Sequence, residues 1–266
     1  MIKTNYITKA CLSLLSLSLL FVWSCKKSEP EAPAPEKQAQ APEAAPKEAP
    51  KVEAPQETPA ADTNAAPAGM VALSVELPKP MFVGTPQNIQ VPNLEKPRDT
   101  ARPTFYVPEG TTNVASKKSV TGSDNEPIIG SLAMVTDGDK EGADGSYVEL
   151  GPGLQYVTID LGEQYDIYAI LVWHFHKQAR VYFDTVVQLA DDPDFLTNVR
   201  TVFNNDNDNS AGLGIGSDLN YIETFEAKLI DAKGQNARYV RLYSKGNNAN
   251  ELNHYIEVEV WGKSKK

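Results

Sequence analysis

"YVTIDLGEQYDIYAILVWHFH", Tyr156 to His176, decides the fold class. In its first half Val157, Ile159 and Leu161 alternate with Tyr156, Thr158 and Asp160, and Gly162 closes the run. A period of two places alternate side chains on opposite faces of a strand. The second half, from Tyr165, is dense in β-branched and aromatic residues, which suit a pleated, buried surface. The same signature returns in "DTVVQLADD" (184–192), "VRTVFNND" (199–206), "NYIETFEAKLI" (220–230), "ARYVRLYS" (237–244) and "HYIEVEVWG" (254–262). Turn signals separate these runs at Gly162, Asp192-Pro193, Gly212 to Gly216, Lys233-Gly234 and Gly246-Asn247-Asn248. No long segment carries apolar residues at helical spacing. Many short strands between turns predict an all-β sandwich or barrel.

Six blocks, in order, carry a family resemblance: "TTNVASKKSVTGS" (111–123), "LAMVTDGDKEG" (132–142), "YVTIDLGEQYDIYAILV" (156–172), "VVQLADDPDF" (186–195), "ARYVRLYS" (237–244) and "HYIEVEVWG" (254–262). Together they resemble the discoidin, or factor 5/8 type C, domain over about Asn113 to Gly262. The resemblance implies a galactose-binding-like jelly-roll β-sandwich, taken as residues 111–263. "WHFHKQARVYFD" and "NNDNDNSAGLGIGSD" are not common to that family and mark a distinct bacterial subgroup.

Outward from this domain, residues 70–110 are proline-rich yet carry Leu73, Val75, Leu77, Met81, Phe82, Phe105 and Tyr106. That is too apolar for a solvated linker and too rich in proline for an interior strand or helix. We expect an extended arm packed along the domain. Residues 26–69 are dominated by Pro, Ala, Glu, Lys and Gln without aromatics, and cannot bury enough apolar surface to offset chain entropy. They read as a disordered, extended tether. Residues 1–24 are short and basic through Lys3 and Lys9, then apolar and uncharged, the pattern of a secretory signal. "VWSC" resembles the lipobox of bacterial lipoproteins, with Trp23 a departure, and makes Cys25 the lipidation site. The expected address is the cell envelope, with attachment by lipid alone and a preference for the outer membrane.

Charge and cysteine usage exclude several functions. The chain carries net charge −10, and loss of Lys3 and Lys9 with the signal brings it to −12. Nucleic-acid binding runs on Lys and Arg facing phosphates, so no nucleic-acid partner is expected. The two cysteines are Cys11, inside the signal, and Cys25, so the folded part has no thiol for catalysis, zinc or a disulfide.

Three clusters are candidate sites. Asp137, Asp139 and Asp144 crowd a glycine-containing loop. Hard carboxylate oxygens suit calcium, which takes about six to eight of them at about 2.3–2.6 Å. The resemblance implies a structural calcium in this loop together with a glutamate near the last strand, here Glu257. An Asp-Gly turn without an ion is the alternative. His174 and His176 stand at i and i+2, side by side on one strand face at about 6.6 Å between Cα atoms. Ile170 and Val172 share that face, so the strand should leave the core and end among loops. The pair is read in three ways: a metal site completed by His254, a catalytic pair, or part of a polar rim for a neutral ligand such as a glycan. On that rim Arg180 would contribute donors, and Trp173 or Tyr182 a stacking face. The pair equally suits a purely structural role, bonding neighbouring loops. The third cluster is asparagine-rich. Asn205, Asp206 and Asp208 precede the glycines of one long loop, and Asn253 and His254 end a second. We expect both loops and the His-x-His strand end to form one surface patch.

The resulting expectation is a lipid-anchored module that binds carbohydrate through loops at one end of a sandwich. It is not expected to be an enzyme, since no nucleophile motif or telling acid pair is present. A protein-interaction or envelope-assembly module is the alternative. A metal-dependent hydrolase built on His174, His176 and His254 is the third.

Overall fold

The structure, a computed structural model, describes residues 66–81, 88–98 and 100–265. The signal at 1–24, Cys25 and the tether as far as residue 65 lie outside the described residues. Among the described residues the regular elements are strands and one 3₁₀ turn at Leu132–Thr136. The strands are β1 (Met70–Ala72), β2 (Tyr106–Pro108), β3 (Thr112–Asn113), β4 (Ser119–Gly122), β5 (Val148–Leu150), β6 (Gln155–Trp173), β7 (Val186–Ala190), β8 (Arg200–Asn204), β9 (Lys228–Ser244), β10 (Asn253–Tyr255) and β11 (Glu257–Ser264).

The two longest strands, β6 and β9, are antiparallel partners and organise the rest. Their ladder breaks twice. Four residues of β6, Leu161 to Gln164, stand between the pairs Asp160↔Tyr239 and Tyr165↔Ala237. Further on, Ala232 to Gly234 of β9 bulge opposite Tyr168. Lys233 and Gly234 take φ of 55° and 70° there, left-handed values that let the strand turn. Before the break β6 pairs with β4 and with late β9, which continues to β7 and β8. Beyond it β6 pairs with early β9 and β11, with β3 at the edge. The bends fold one ladder into two layers.

Apolar side chains from both halves meet between the layers: Val157, Ile159 and Leu161 with Ile167, Ile170 and Val172, joined by Val187, Leu189, Val240, Leu242, Val258 and Val260. The bulge at Tyr168 explains why the inward residues change from odd to even numbers after Ile167. The other face of the second layer carries Ala169, Leu171 and Trp173.

The residues of the expected arm cover that face. β1 and β2 pair antiparallel, and Leu73, Val75 and Phe105 pack on the cluster around Trp173. The Trp173 indole N–H donates to the Phe225 carbonyl at 2.9 Å, and the Lys140 ammonium lies 5.1 Å from its ring. Trp173 is therefore sealed in and unavailable as a sugar-stacking face.

One expected strand is mostly absent. "NYIETFEAKLI" becomes strand only from Lys228. Glu223 donates its backbone N–H to the Arg180 carbonyl, and Thr224 to Ala227 form a turn with Ala227 at φ 64°. A carboxylate aimed inward at position 223 has to leave the ladder to find its partner.

Candidate functional site

β6 stops at Trp173, so the two histidines of His174-x-His176 lie beyond the strand and the i, i+2 rule does not apply to them. Both are buried, and they diverge. The His174 Nδ1 lies 2.6 Å from Glu223 Oε1, with both side chains fully enclosed. The His176 Nε2 lies 2.8 Å from the Lys140 carbonyl, to which it donates. The pair is not a shared metal or ligand platform.

From His174 a line of polar groups runs outward. Its ring stacks on Tyr182 at 4.3 Å between centroids and 19° between planes. The Tyr182 hydroxyl lies 2.9 Å from His254 Nδ1, and His254 Nε2 lies 3.0 Å from Glu149 Oε2. Burial, above all, pushes the Tyr182 hydroxyl upward, so it is a donor. It donates to Nδ1, which leaves the imidazole proton on Nε2, facing the Glu149 carboxylate. Burial pushes His254 down to about 3, and the Arg180 guanidinium and His174 add to the effect. A neutral ring with one accepting and one donating nitrogen satisfies both neighbours.

Above this line sits a partly exposed mouth. The Arg180 guanidinium lies 4.5 Å from the Phe175 ring, and Nη1 is 3.4 Å from each ring nitrogen of His254. Tyr147 meets Phe175 at 5.1 Å edge-on and His254 at 6.0 Å. Tyr147, Phe175, Arg180 and Glu149 are all part-exposed. Tyr182, expected as a stacking face, is fully buried beneath them.

The asparagine candidates have structural employment. Asn205 is buried; its side-chain oxygen accepts from the Thr185 N–H at 2.6 Å and its amide donates to Asn220 Oδ1 at 3.0 Å. Asn253 is fully buried, donates to the Gly151 and Gly153 carbonyls at 2.8 and 3.1 Å, and accepts from the Gly246 N–H at 2.8 Å. Both are buried and bonded to the protein, so neither is presented at the surface, which corrects the assignment of both to the binding rim. Asn253→Ala would leave the buried Gly246 N–H unpaired and free the Gly151 and Gly153 carbonyls, which lie nearer the surface, so we expect a loss of about 1–2 kcal/mol in denaturant unfolding, with the midpoint shifted and the slope unchanged.

The two asparagine-rich loops do adjoin one segment. Asn205 reaches the Tyr182 carbonyl at 3.4 Å, and Asn248 exchanges hydrogen bonds with Val181. Asp206 and Asp208, however, join Asp184, with one carboxylate oxygen of each within 4.8 Å of the others. Asp206 is fully buried and accepts from the Ser210 and Ala211 N–H groups at 3.0 and 2.9 Å. The Lys245 ammonium lies 3.7 Å from Asp184 and donates to the Ser210 carbonyl at 3.0 Å. Gly216 lets this loop close: a Cβ there would lie 2.1 Å from the Asn204 carbonyl oxygen.

The four calcium candidates are not gathered as a set. Asp144 is fully exposed and faces Lys177 at 3.6 Å. Asp139 caps its own turn, accepting from the Glu141 N–H at 2.9 Å. Asp137 and Glu257 remain neighbours. Glu257 is buried, accepts from the Gly138 N–H at 3.0 Å, and is pushed up to about 8 by burial first and the Asp137 charge among the further causes. A buried carboxylate with one hydrogen-bond donor, beside a second carboxylate, fits one side of a hard-cation site.

Residues the sequence reading passed over are Glu223 and Phe175. The signal for Glu223 was a carboxylate inside the apolar run "YIETF", a place where an acid needs a buried partner.

Neither a family model nor a curated protein matches the chain. Solved structures do. Over 53% of this chain and 92% of the other, it is similar to the CBM32 of AlyQ in complex with 4,5-unsaturated mannuronic acid, at 21% identity and a TM-score of 0.38. Similarity to chitosan-binding module 1 of a chitosanase/glucanase from Paenibacillus sp. IK-5 covers 57% and 99%, at 20% identity and a TM-score of 0.39. For a fucose-binding module of Streptococcus pneumoniae, SpX-3, the figures are 58% and 99%, 18% and 0.40.

Proposed function

We propose that this chain is a non-catalytic binding module that holds a carbohydrate at the mouth formed by Tyr147, Phe175, Arg180 and the Glu149–His254 pair. The observation that carries the reading is the Arg180 guanidinium, layered 4.5 Å over Phe175 and held beside His254. Sugars offer hydroxyls that both donate and accept, and ring faces of C–H bonds. A guanidinium, a carboxylate and part-exposed aromatic rings, fixed on a rigid two-layered scaffold, suit both features. His174 and His254 are each committed to a protein partner, which favours gripping over turnover. The three histidines point at different partners, which argues against a hydrolytic metal triad.

Lipidation at Cys25, the tether at 26–69 and an envelope address, with the outer membrane preferred, complete the proposal. A calcium held by Asp137 and Glu257 would brace the 137–141 loop. A glycan array probed with the full chain tests the reading; flat signal on every glycan removes it. Arg180→Ala is expected to weaken binding at least tenfold with an unchanged melting temperature, as for a central contact residue. The alternative, a protein-interaction module, is favoured by exposed Val71, Leu77 and Met81 at 42, 40 and 51% on the arm. It predicts a retained partner in membrane-extract pull-downs and no glycan signal.

A further inference from the structure

The segment bearing Arg180 is tied to β10 through a single titratable side chain. His254 is 2% exposed and sits on the two-stranded ribbon of β5 and β10, outside the main ladder. From the 178–182 segment it faces the Tyr182 hydroxyl and the Arg180 guanidinium. From the end of β6 it faces His174 and the Phe175 ring. From β5 and the residue before it, it faces the Glu149 carboxylate and Tyr147. Nδ1 is already an acceptor for a hydroxyl that has no other role for its proton there. A proton on Nδ1 would turn the Tyr182 hydroxyl from donor to acceptor, leaving its own buried proton without that acceptor, and place an imidazolium 3.4 Å from a guanidinium. Only Glu149 favours the charged form.

We propose that His254 is an acid-released latch: neutral, it fastens residues 177–182, and with them Arg180, to the β5–β10 ribbon; protonated, it lets that segment go and loosens the grip of the mouth. The part concerning grip rests on the carbohydrate reading above; the latch itself does not. The pKa direction agrees, because burial with Arg180 and His174 holds the closed ring neutral. In the open segment a solvated imidazole returns to about 6.5. Opening then takes up one proton, so its equilibrium constant rises about tenfold for each pH unit below that value.

Native-state hydrogen exchange of the full chain between pH 6 and 4.5 tests this, with rates corrected for intrinsic exchange. The reporters are the amides of Val181, which donates to Asn248 Oδ1, and Glu223, which donates to the Arg180 carbonyl. Their opening constants should climb by more than tenfold across this range, while the β6–β9 core stays flat. His254→Gln keeps a donor for Glu149 but cannot titrate, and should flatten the climb. A pH-independent opening in the native chain, or an unchanged climb in His254→Gln, overturns the latch. Should the variant not fold, imidazole nitrogen shifts of the native chain decide: a bare Nδ1 and protonated Nε2 at pH 5.5 support the latch, an imidazolium there overturns it. If the latch opens yet no glycan binds, the sugar reading fails alone. If a glycan binds equally at pH 7 and 5, the coupling to grip fails.

Discussion

Glu223→Ala is expected to lower the stability of the domain by about 2–4 kcal/mol, because a buried imidazole and a buried hydroxyl lose their carboxylate partner. The reason lies in what remains. His174 is fully enclosed, and its Nδ1 would lose its partner at 2.6 Å. Tyr221, whose buried hydroxyl faces the same carboxylate, would lose its acceptor too. Two atoms of the pair, His174 Nε2 and Glu223 Oε2, already lack a protein partner. The pair is therefore costly to build, and costlier to halve. Glu223→Gln retains an acceptor oxygen and should cost about 1–2 kcal/mol. Replacing His174 and Glu223 together by leucine removes both unpaired atoms of the pair, leaves only the Tyr221 hydroxyl without its partners, and should cost less than Glu223→Ala alone, a non-additivity that isolates the pair. Thermal and urea unfolding of the three variants decides the matter. Equal losses for Ala and Gln would mean that the inward carboxylate contributes volume rather than bonding.

The same pair shows what the sequence could and could not disclose. The alternation of Val157, Ile159 and Leu161, the turn residues and the absence of helical spacing reveal a two-layered β fold, because strand period and turn chemistry are local properties. The arm is equally legible from its composition: apolar residues between prolines have to lie on something, and Leu73, Val75 and Phe105 lie on the Trp173 cluster. The site is another matter. Reading His174 and His176 as neighbours required a strand through position 176, and β6 ends at Trp173. Asn205, Asp206 and Asn253 carry the groups a ligand would want, but loops that pass close to a core must satisfy their own backbone first, and these side chains do so. Glu223 and Tyr182 each meet His174 only when the chain is folded, and no local pattern encodes those meetings. Arg180 was expected on the rim as a donor following the strand, and the structure places its guanidinium over Phe175 beside His254; its part in binding is a proposal.

Raising the pH from 5 to 8 in the presence of a chelator is expected to weaken the domain by about 3–5 kcal/mol through Glu257 alone. Its side chain is 1% exposed, and burial has pushed the carboxyl up to about 8 in the folded chain. The unfolded chain releases that proton near pH 4.5, its ordinary value. Between those two points the folded state binds more protons than the unfolded state, so stability falls with rising pH. It is complete below pH 4.5 and levels off above pH 8. Two neighbours favour the ionised form but weigh less than burial: the Gly138 N–H donates to the carboxyl, and Lys140, paired with Glu259 at 2.5 Å, stands near. Glu257→Gln keeps the shape without the titration, so its stability curve should run flat over this window and exceed the native chain at pH 8. A native curve that is also flat, or a variant curve that falls in parallel, would show that Glu257 is not the group responsible. Calcium supplies the separate arm. If Asp137 and Glu257 take the ion, millimolar calcium should erase most of the fall, because a bound cation favours the ionised carboxylate. If calcium leaves the native curve in place, Glu257 is a proton-holding core acid and the metal proposal is withdrawn.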